Sequence, residues 1–264
     1  MIDLHCHILS GLDDGPQTLE ESIEMCRMGF RDGIKTIIAT PHTQNGVYDN
    51  DRPAILAKVK ELNKAIKKIG VQETPSAIRN PQSAISLTVL PGADVSFSEA
   101  VLEHLKEGKA ITVGDAGHYL LLEFPFQGIP LRAEEILFQL TARGITPIIS
   151  HPERNYEIAR KPQRYYEMVR AGCLGQITAM SLTGGFGGEV KRTAQNLLKS
   201  RLVHFIASDA HSVNGRVPVL SFAVQAAARI VGEEEARKMV TEYPQAILEG
   251  RRPKVPEPII GDRR

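Results

Sequence analysis

The chain opens with the stretch Met1–Gly15, MIDLHCHILSGLDDG, and the rest of the fold is predicted outward from it. Its short apolar start predicts a strand that carries His5 and His7 with one residue between them. Because alternate side chains of a strand share a face, the two imidazoles project together, about 6.6 Å apart along the strand. Imidazole is a common transition-metal ligand, and Asp13 and Asp14 add oxygen ligands nearby. The stretch predicts a metal site that later strand ends complete.

A rhythm of strand followed by helix, repeated about seven times, runs through the chain. The predicted strands are 1–4, 35–39, 87–97, 119–124, 145–150, 174–178 and 203–207. The main predicted helices are 18–33, 51–69, 98–107, 131–143, 163–171, 187–200, 215–231 and 233–243. Apolar strands that alternate with amphipathic helices indicate a parallel sheet covered by helices. The fold class is therefore α/β, with a polar loop or insertion predicted at 71–86.

Potential ligands follow the carboxyl ends of these strands: His42, Asp94, Glu123, His151, Asp209 and His211. In a (β/α) barrel such ends surround one mouth, whereas an open doubly wound sheet gathers its sites at one switch point. Ligand-type side chains after six strands favour the closed barrel.

The composition narrows the class of protein. A chain of 264 residues can bury a full core, as one large α/β domain or two small ones. A net charge of +1 gives no support to a nucleic-acid or membrane-surface binder. We predict no signal peptide and no transmembrane segment. Three widely spaced cysteines form neither a disulfide framework nor a zinc pattern and fit a reducing cytosol.

Each candidate ligand has an ordinary structural alternative. A lone histidine is more often a core residue than a ligand, and His104, His118 and His204 are assigned to the core or the surface. A lone aspartate after a strand is more often a cap, so Asp13 is predicted to shape its loop and Asp14 to be the ligand. A purely structural explanation would nevertheless have to place nine ligand-type side chains at one rim by accident.

The mixture of histidine and carboxylate suits Mn²⁺, Fe or Zn²⁺ better than Ca²⁺ or Mg²⁺. Nine ligands exceed the need of one ion, so two or three are implied, and multi-metal sites of this kind hydrolyse phosphate esters. Arg154 and Arg216 follow two of the ligand motifs, and guanidinium groups match phosphate oxygens. The alternative for both arginines is surface charge or a salt bridge.

Two common phosphate-handling motifs are missing from the sequence. A thiol phosphatase needs Cys-x₅-Arg, but Leu12, Asp32 and Ala179 stand six residues after the three cysteines. The glycine cluster at 184–188, GGFGG, lacks the Lys-Ser/Thr of a Walker A loop and is predicted to be a flexible loop.

Four motifs carry a resemblance to a known family: HCHILSGLDDGP at 5–16, TPH at 40–42, HPERN at 151–155 and SDAH at 208–211. They resemble the PHP (polymerase and histidinol phosphatase) superfamily, and more closely the bacterial manganese-dependent protein-tyrosine phosphatases of capsule and exopolysaccharide operons. The resemblance implies one distorted (β/α)₇ TIM-like barrel over residues 1–250, followed by a Pro/Arg-rich tail at 251–264.

The resemblance also implies a trinuclear site and a phosphate grip formed by Arg154 and Arg216. The three ligand sets would be His5, His7 and Asp209; Asp94 as a bridge with Glu123 and His151; and Asp14, His42 and His211. The family usually has Glu where Asp94 stands, a carboxylate one methylene longer.

The function that the resemblance implies is hydrolysis of phosphotyrosine on a cytoplasmic bacterial tyrosine kinase that controls capsular or exopolysaccharide synthesis. Asp209 is expected to be essential, and either a metal-bound water or His42 would donate the proton. The alternatives are another phosphoesterase of the superfamily, for histidinol phosphate or nucleotides, and a non-catalytic metal-binding module that regulates polysaccharide assembly. The sequence does not indicate an oligomeric state.

Overall fold

The structure is a computed structural model that describes residues 1–71 and 86–259. The insertion predicted at 71–86 and the end of the tail therefore lie almost wholly outside the described residues. The strands are β1 (Ile2–Cys6), β2 (Thr36–Ala39), β3 (His42–Thr43), β4 (Thr88–Pro91), β5 (Asp94–Ser96), β6 (Tyr119–Glu123), β7 (Thr146–Ser150), β8 (Leu174–Thr178) and β9 (Phe205–Ala207). The α-helices are α1 (Leu19–Arg31), α2 (Arg52–Val71), α3 (Val101–Lys106), α4 (Ala133–Ala142), α5 (Tyr156–Arg160), α6 (Gln163–Arg170), α7 (Ala179–Thr183), α8 (Gly188–Lys199), α9 (Ser221–Val231), α10 (Glu233–Lys238) and α11 (Glu242–Leu248).

The strands form parallel sheets, as predicted. One sheet has the order β1-β2-β4 and the other the order β3-β5-β6-β7-β8-β9, and every strand pair in them is parallel. Sequences such as TIIA in β2 and YLLLE in β6 are almost entirely buried, as expected of strands covered on both faces. The α/β class is confirmed, and the count of seven barrel strands stays a prediction.

The strand predicted at 87–97 is in fact two short strands, one in each sheet. β4 pairs with β2, and after a break at Gly92-Ala93, next to the Pro-Gly turn of the sequence, the chain continues as β5, which pairs with β3. A Cβ on Gly92 would lie 2.8 Å from Cγ2 of Ile38, so only glycine allows this close approach. The register pairs His42 with Asp94, which makes two of the predicted ligands neighbours.

The first and last strands lie side by side and are joined by hydrogen bonds beyond the two sheets. The amide of Asp209 donates to the carbonyl of His5 at 2.7 Å, and the amide of His7 donates to the carbonyl of Ala210 at 2.8 Å. Cys6 and Ala210 form an isolated parallel bridge. Residues that are far apart in the sequence are thereby held in contact.

Three predicted helix boundaries are wrong. Gly70 does not end α2, which continues to Val71, since a glycine costs a helix only about 1 kcal/mol. The helix predicted at 215–231 begins only at Ser221, after a loop that contains Pro218. The helix predicted at 233–243 is divided into α10 and α11, because Pro244 has no N–H to continue a helix but is tolerated in the first turn of a new one.

The described part of the tail, 251–259, has neither helix nor strand and lies against the body of the protein. The hydroxyl of Tyr119 donates to the carbonyl of Arg251 at 2.8 Å, and the amide of Ile259 donates to the carbonyl of Ser200 at 2.9 Å. Within the described residues, none of the helices is sufficiently long and apolar to cross a membrane.

Candidate metal centre

The nine predicted ligands converge at the carboxyl ends of the strands. They are His5 and His7 at the end of β1, Asp14 in the loop after it, His42 in β3, Asp94 in β5, Glu123 at the end of β6, His151 after β7, and Asp209 and His211 after β9. Three groups have ligand atoms within 4.8 Å of one another: His5, His7 and Asp209; His42, Asp94 and Glu123; and His7, Asp14, His42 and His211. The ninth, His151, has Nε2 3.4 Å from Oε1 of Glu123. The distances place the members of the implied ligand sets near one another, with His7 and His42 shared between groups, and their role as metal ligands stays a prediction.

The imidazoles of His5 and His7 are held so that both present a lone pair to the same point. The Nδ1 of His5 lies 2.9 Å from Oε1 of Gln176, and the Nδ1 of His7 lies 2.6 Å from Oδ2 of Asp13. Both partners are acceptors, so the ring proton is on Nδ1 and the lone pair is on Nε2. The two Nε2 atoms lie 3.0 Å apart. Burial lowers the pKa of both rings well below the usual value, which keeps them neutral and able to bind a cation.

Asp94 lies at the centre of the cluster with one oxygen that has no hydrogen-bond partner among the described residues. Its Oδ1 accepts a hydrogen bond from the hydroxyl of Ser150 at 3.0 Å. Its Oδ2 lies 3.5 Å from Nδ1 of His42, 3.7 Å from Nε2 of His5 and 3.9 Å from Nε2 of His151. A buried carboxylate oxygen among three imidazoles is the position that a bridging metal ligand would occupy.

His211 and Asp14 form the outer side of the cluster. The Nδ1 of His211 lies 3.0 Å from the carbonyl oxygen of Asp209, and its buried Nε2 lies 3.4 Å from Oδ1 of Asp14. The interaction with His211 lowers the pKa of Asp14 to about 2. Asp14 is 51% exposed, so this side of the cluster is open to solvent. The residues therefore form groups that could hold metal ions, and one side of the cluster is open to solvent.

The buried carboxylates show why the cluster requires positive charge. Burial raises the pKa of Asp94 well above its usual value, and the nearby Glu123 and Asp209 raise it further. Burial also opposes ionisation of Asp209, but Arg154 and the neighbouring histidines outweigh it and hold the pKa of that carboxyl well below its usual range. Several acidic groups in so small a volume are stable as anions only beside cations.

Arg154 and Arg216 both contact Asp209. The Nη2 of Arg154 lies 2.5 Å from Oδ2 of that carboxylate, and the Nη2 of Arg216 lies 2.6 Å from Oδ1. Phe186 lies against both guanidinium groups, with its ring centroid 5.1 Å from Cζ of Arg154 and 5.7 Å from Cζ of Arg216. The ring centroid of Phe126 lies 5.6 Å from Cζ of Arg154. Two guanidinium groups thus meet at one edge of the ligand cluster.

Four residues of the site are outside the predicted set. Gln176 and Ser150 support ligands from within β8 and β7, and Phe126 and Phe186 contact the arginines. A lone glutamine in the buried strand LGQIT is a sequence signal for a supporting role, but nothing local marks the two phenylalanines. Asp13 shapes its loop as predicted, through a hydrogen bond from the amide of Gly15, and also holds His7.

The remaining histidines and the cysteines lie outside the cluster. His204 is buried, and its Nδ1 accepts a hydrogen bond from the amide of Gly175 at 3.0 Å. All three cysteines are free and buried. Burial raises the pKa of the Cys6 thiol well above its usual value, and that of Cys26 to about 12. Such thiols are poor nucleophiles.

Parallel strands with histidines and carboxylates gathered at their carboxyl ends indicate a metal-binding protein of the α/β class. Similarity to dihydropyrimidinase from Brevibacillus agri supports this fold and nothing further: the TM-score is 0.55 at 13% identity, covering 99% of this chain and 72% of the other. The family model for capsular polysaccharide synthesis, CpsB/CapC, matches residues 1–249. The chain belongs to the CpsB/CapC family.

The chain is similar in sequence to proteins that are named tyrosine-protein phosphatases. Tyrosine-protein phosphatase YwqE from Bacillus subtilis is 39% identical over 251 residues, which cover 94% of this chain and 91% of the relative. Putative tyrosine-protein phosphatase CapC from Staphylococcus aureus is 36% identical over 82% of this chain and 79% of its own length. A crystal structure from work on YwqE and on CpsB from Streptococcus pneumoniae, described as unique metal-dependent tyrosine phosphatases, matches with a TM-score of 0.89 at 37% identity and covers all of both chains.

Proposed function

We propose that this protein is a metal-dependent tyrosine-protein phosphatase. The observation that carries the proposal is the pair of arginines, Arg154 and Arg216, which meet on Asp209 at the edge of a histidine–carboxylate cluster. Relatives at 39% and 30% identity over most of the chain are named tyrosine-protein phosphatases, which supports the same activity. The family and the resemblance both point to capsular or exopolysaccharide synthesis as its setting.

The proposed cofactors are two or three divalent metal ions, with Mn²⁺ as the first candidate and Fe or Zn²⁺ as the others. The ligands would be the nine clustered side chains: His5, His7, Asp14, His42, Asp94, Glu123, His151, Asp209 and His211. Bound ions would lower the pKa of water and neutralise charge on the phosphate. The two strand sheets are proposed to make up one distorted (β/α)₇ barrel around this site, as the resemblance implies.

The arginines are proposed to bind the phosphate of the substrate. Their guanidinium donors are now held by the carboxylate of Asp209, an anion of similar size and charge to one edge of a phosphate. Within the described residues the buried Nε of Arg154 has no hydrogen-bond partner, which leaves one donor free for a further oxygen. The positive charge would stabilise the equatorial oxygens during in-line displacement.

The phenolate leaving group needs little help from a proton donor. The phenol of tyrosine has a pKa near 10, so it leaves more readily than an alkyl alcohol. His42 is more exposed than His5 and His7, and its Nδ1 makes no hydrogen bond to any described residue. We propose His42 or a metal-bound water as the proton donor, and Asp209 as a side chain without which turnover stops.

The proposed substrate is phosphotyrosine on a bacterial tyrosine kinase, in its tyrosine-rich tail. A cytoplasmic location is proposed with it, because that is where the kinase tail would be found. The domain boundary between a barrel at 1–250 and the tail at 251–264 also stays a prediction.

The test is hydrolysis by protein that has been stripped with a chelator and reloaded with Mn²⁺. We expect the loaded protein to hydrolyse phosphotyrosyl peptides. The stripped protein and the Asp209→Asn variant should each show a kcat at least about 1,000-fold lower. Histidinol phosphate and nucleotides serve as competing substrates. Faster hydrolysis of either competitor would show that the protein is instead a phosphoesterase for histidinol phosphate or nucleotides. Binding of metal without hydrolysis of any substrate would favour the non-catalytic module that regulates polysaccharide assembly.

A further inference from the structure

Two phenylalanines at the edge of the metal cluster have no role in the function proposed so far. We propose that Phe126 and Phe186 form the subsite for the aromatic ring of the substrate and so select aryl phosphates over alkyl phosphates. The inference rests on the proposed function, because it assumes that the site binds an aryl phosphate. Binding of the ring can nevertheless be measured without turnover.

Phe186 is the central residue of the glycine cluster at 184–188, between α7 and α8. The cluster is a hydrogen-bonded turn: the amides of Gly184 and Gly185 both donate to the carbonyl of Met180, at 3.0 and 2.8 Å. Gly184 and Gly187 have φ of 96° and 91°, values that favour glycine. A Cβ on Gly185 would lie 2.5 Å from Cε of Met180. The glycine cluster predicted to be a flexible loop is thus a turn with defined backbone hydrogen bonds, and Phe186 lies within it.

Phe126 approaches the same place from the loop after β6. Its ring centroid lies 5.9 Å from the ring of His151 and 5.6 Å from Cζ of Arg154. Its backbone is fixed as well, because its carbonyl accepts a hydrogen bond from the amide of Tyr156 at 2.8 Å. The side chain of Phe126 is nevertheless 51% exposed. A large apolar ring left half in water beside polar groups offers surface that a ligand can cover.

The arginines connect the two rings to the phosphate. Arg154 contacts both phenylalanines, and Arg216 contacts Phe186. A phosphate held by the two guanidinium groups would therefore lie next to both rings. In an aryl phosphate the ester oxygen bonds directly to the ring, so the ring of a bound phosphotyrosine comes within contact distance of Phe126 and Phe186.

Contact between aromatic rings distinguishes substrates that share the same phosphate. Offset or edge-to-face pairs stabilise a complex beyond the burial of their apolar area. An alkyl phosphate such as phosphoserine has no ring to pair and little apolar area to bury. We expect the two rings together to favour an aryl over an alkyl ligand by about ten-fold in Kd.

The experiment measures equilibrium binding of phosphonates, which are not hydrolysed, to the full chain loaded with Mn²⁺. Calorimetry would give Kd for phenylphosphonate and methylphosphonate with the wild type, Phe126→Leu and Phe186→Leu. Each variant should raise Kd for phenylphosphonate about three-fold and change Kd for methylphosphonate less than two-fold. Phe138→Leu is the matched control, since Phe138 is 72% exposed on α4 and, within the part of the chain that the structure describes, its ring lies over neither arginine.

The possible outcomes separate the two proposals. If both phosphonates lose affinity to the same extent, the phenylalanines only position the arginines and the inference is overturned. It is also overturned if the wild type binds the two phosphonates equally. If the wild type prefers phenylphosphonate, loses that preference in the variants and yet hydrolyses no phosphotyrosyl peptide, the aryl subsite stands and the proposed function fails.

Discussion

Asp13 holds His7 through a hydrogen bond of 2.6 Å between Oδ2 and Nδ1. The same oxygen accepts the backbone amide of His42 at 2.9 Å, and Oδ1 accepts the amide of Gly15 at 3.0 Å. One buried carboxylate thus orients the side chain of His7, binds the backbone of His42 and closes the loop that carries Asp14. Such supporting hydrogen bonds set the tautomer and the direction of a ligating imidazole.

Asp13→Asn should therefore weaken metal binding without removing a ligand. The amide can accept only at one oxygen, so it cannot serve His7, His42 and Gly15 together. We expect Mn²⁺ affinity to fall about 10- to 100-fold, measured by competition with a chelator of known affinity. Glu233→Gln, an exposed change on α10, is the control. Unchanged affinity in Asp13→Asn would show that the hydrogen bond does not support a metal ligand.

Arg216→Ala should weaken phosphate binding and leave the metal content unchanged. The guanidinium of Arg216 contacts Asp209 but offers no ligand atom to a cation. Inhibition by inorganic phosphate should weaken about 10- to 100-fold, as expected for the loss of a charged hydrogen bond. Elemental analysis measures the metal, and Arg229→Ala, on the exposed face of α9, is the control. Loss of metal in step with phosphate affinity would contradict the assignment.

His204 should make the protein less stable as the pH falls. Burial and the nearby Arg252 lower its pKa from 6.5 to about 4, and its Nδ1 is occupied by the amide of Gly175. Between these two values the unfolded chain binds a proton that the folded chain does not, so the free energy of unfolding decreases as pH falls from 6.5 to 4. The full difference is about 3 kcal/mol.

The measurement compares urea unfolding of metal-free wild type with His204→Asn across that range of pH. The amide oxygen of asparagine can accept from Gly175 but does not titrate, so the variant should show a smaller decrease in stability. Taking the difference between the two proteins removes the contribution of the other buried histidines. Parallel curves for both proteins would mean that His204 does not contribute to the pH dependence.

Gly175→Ala should destabilise the fold strongly. A Cβ at this position of β8 would lie 2.6 Å from the carbonyl oxygen of Leu202 and would also overlap the hydroxyl of Tyr165. We expect a loss of about 3 kcal/mol in the free energy of unfolding, from overpacking between rigid groups. Gly188→Ala is the matched control, because its Cβ would meet no described atom within 4 Å. Urea unfolding of both variants checks the difference; equal stabilities would contradict it.

The sequence predicts the parallel strands and the positions of the nine polar side chains because both follow local rules. Strand alternation brings His5 and His7 to one face, and parallel pairing aligns the strand ends. The structure places all nine together, while their action as metal ligands remains a proposal. The capping box of Thr18 and Glu21 at the start of α1 is a further pattern that depends only on residues close together in the sequence.

Features that depend on distant contacts could not be predicted in the same way. α9 begins at Ser221 because Asp32, far back in the chain, accepts hydrogen bonds from the amides of Leu220 and Ser221 at 2.6 and 3.1 Å. No residue near the start of α9 signals this cap. Phe126 and Phe186 are likewise ordinary phenylalanines in the sequence and become part of the site only through the arginines that they contact.

The pairing of β1 with the segment after β9 sets the order of events during synthesis. His5 is synthesised long before its neighbour Asp209, and the amide of Asp209 donates to the carbonyl of His5. A nascent chain can therefore fold several strand–helix units while the cluster still lacks Asp209 and His211. The cluster of nine side chains is therefore complete only once the segment after β9 has been synthesised and has paired with β1.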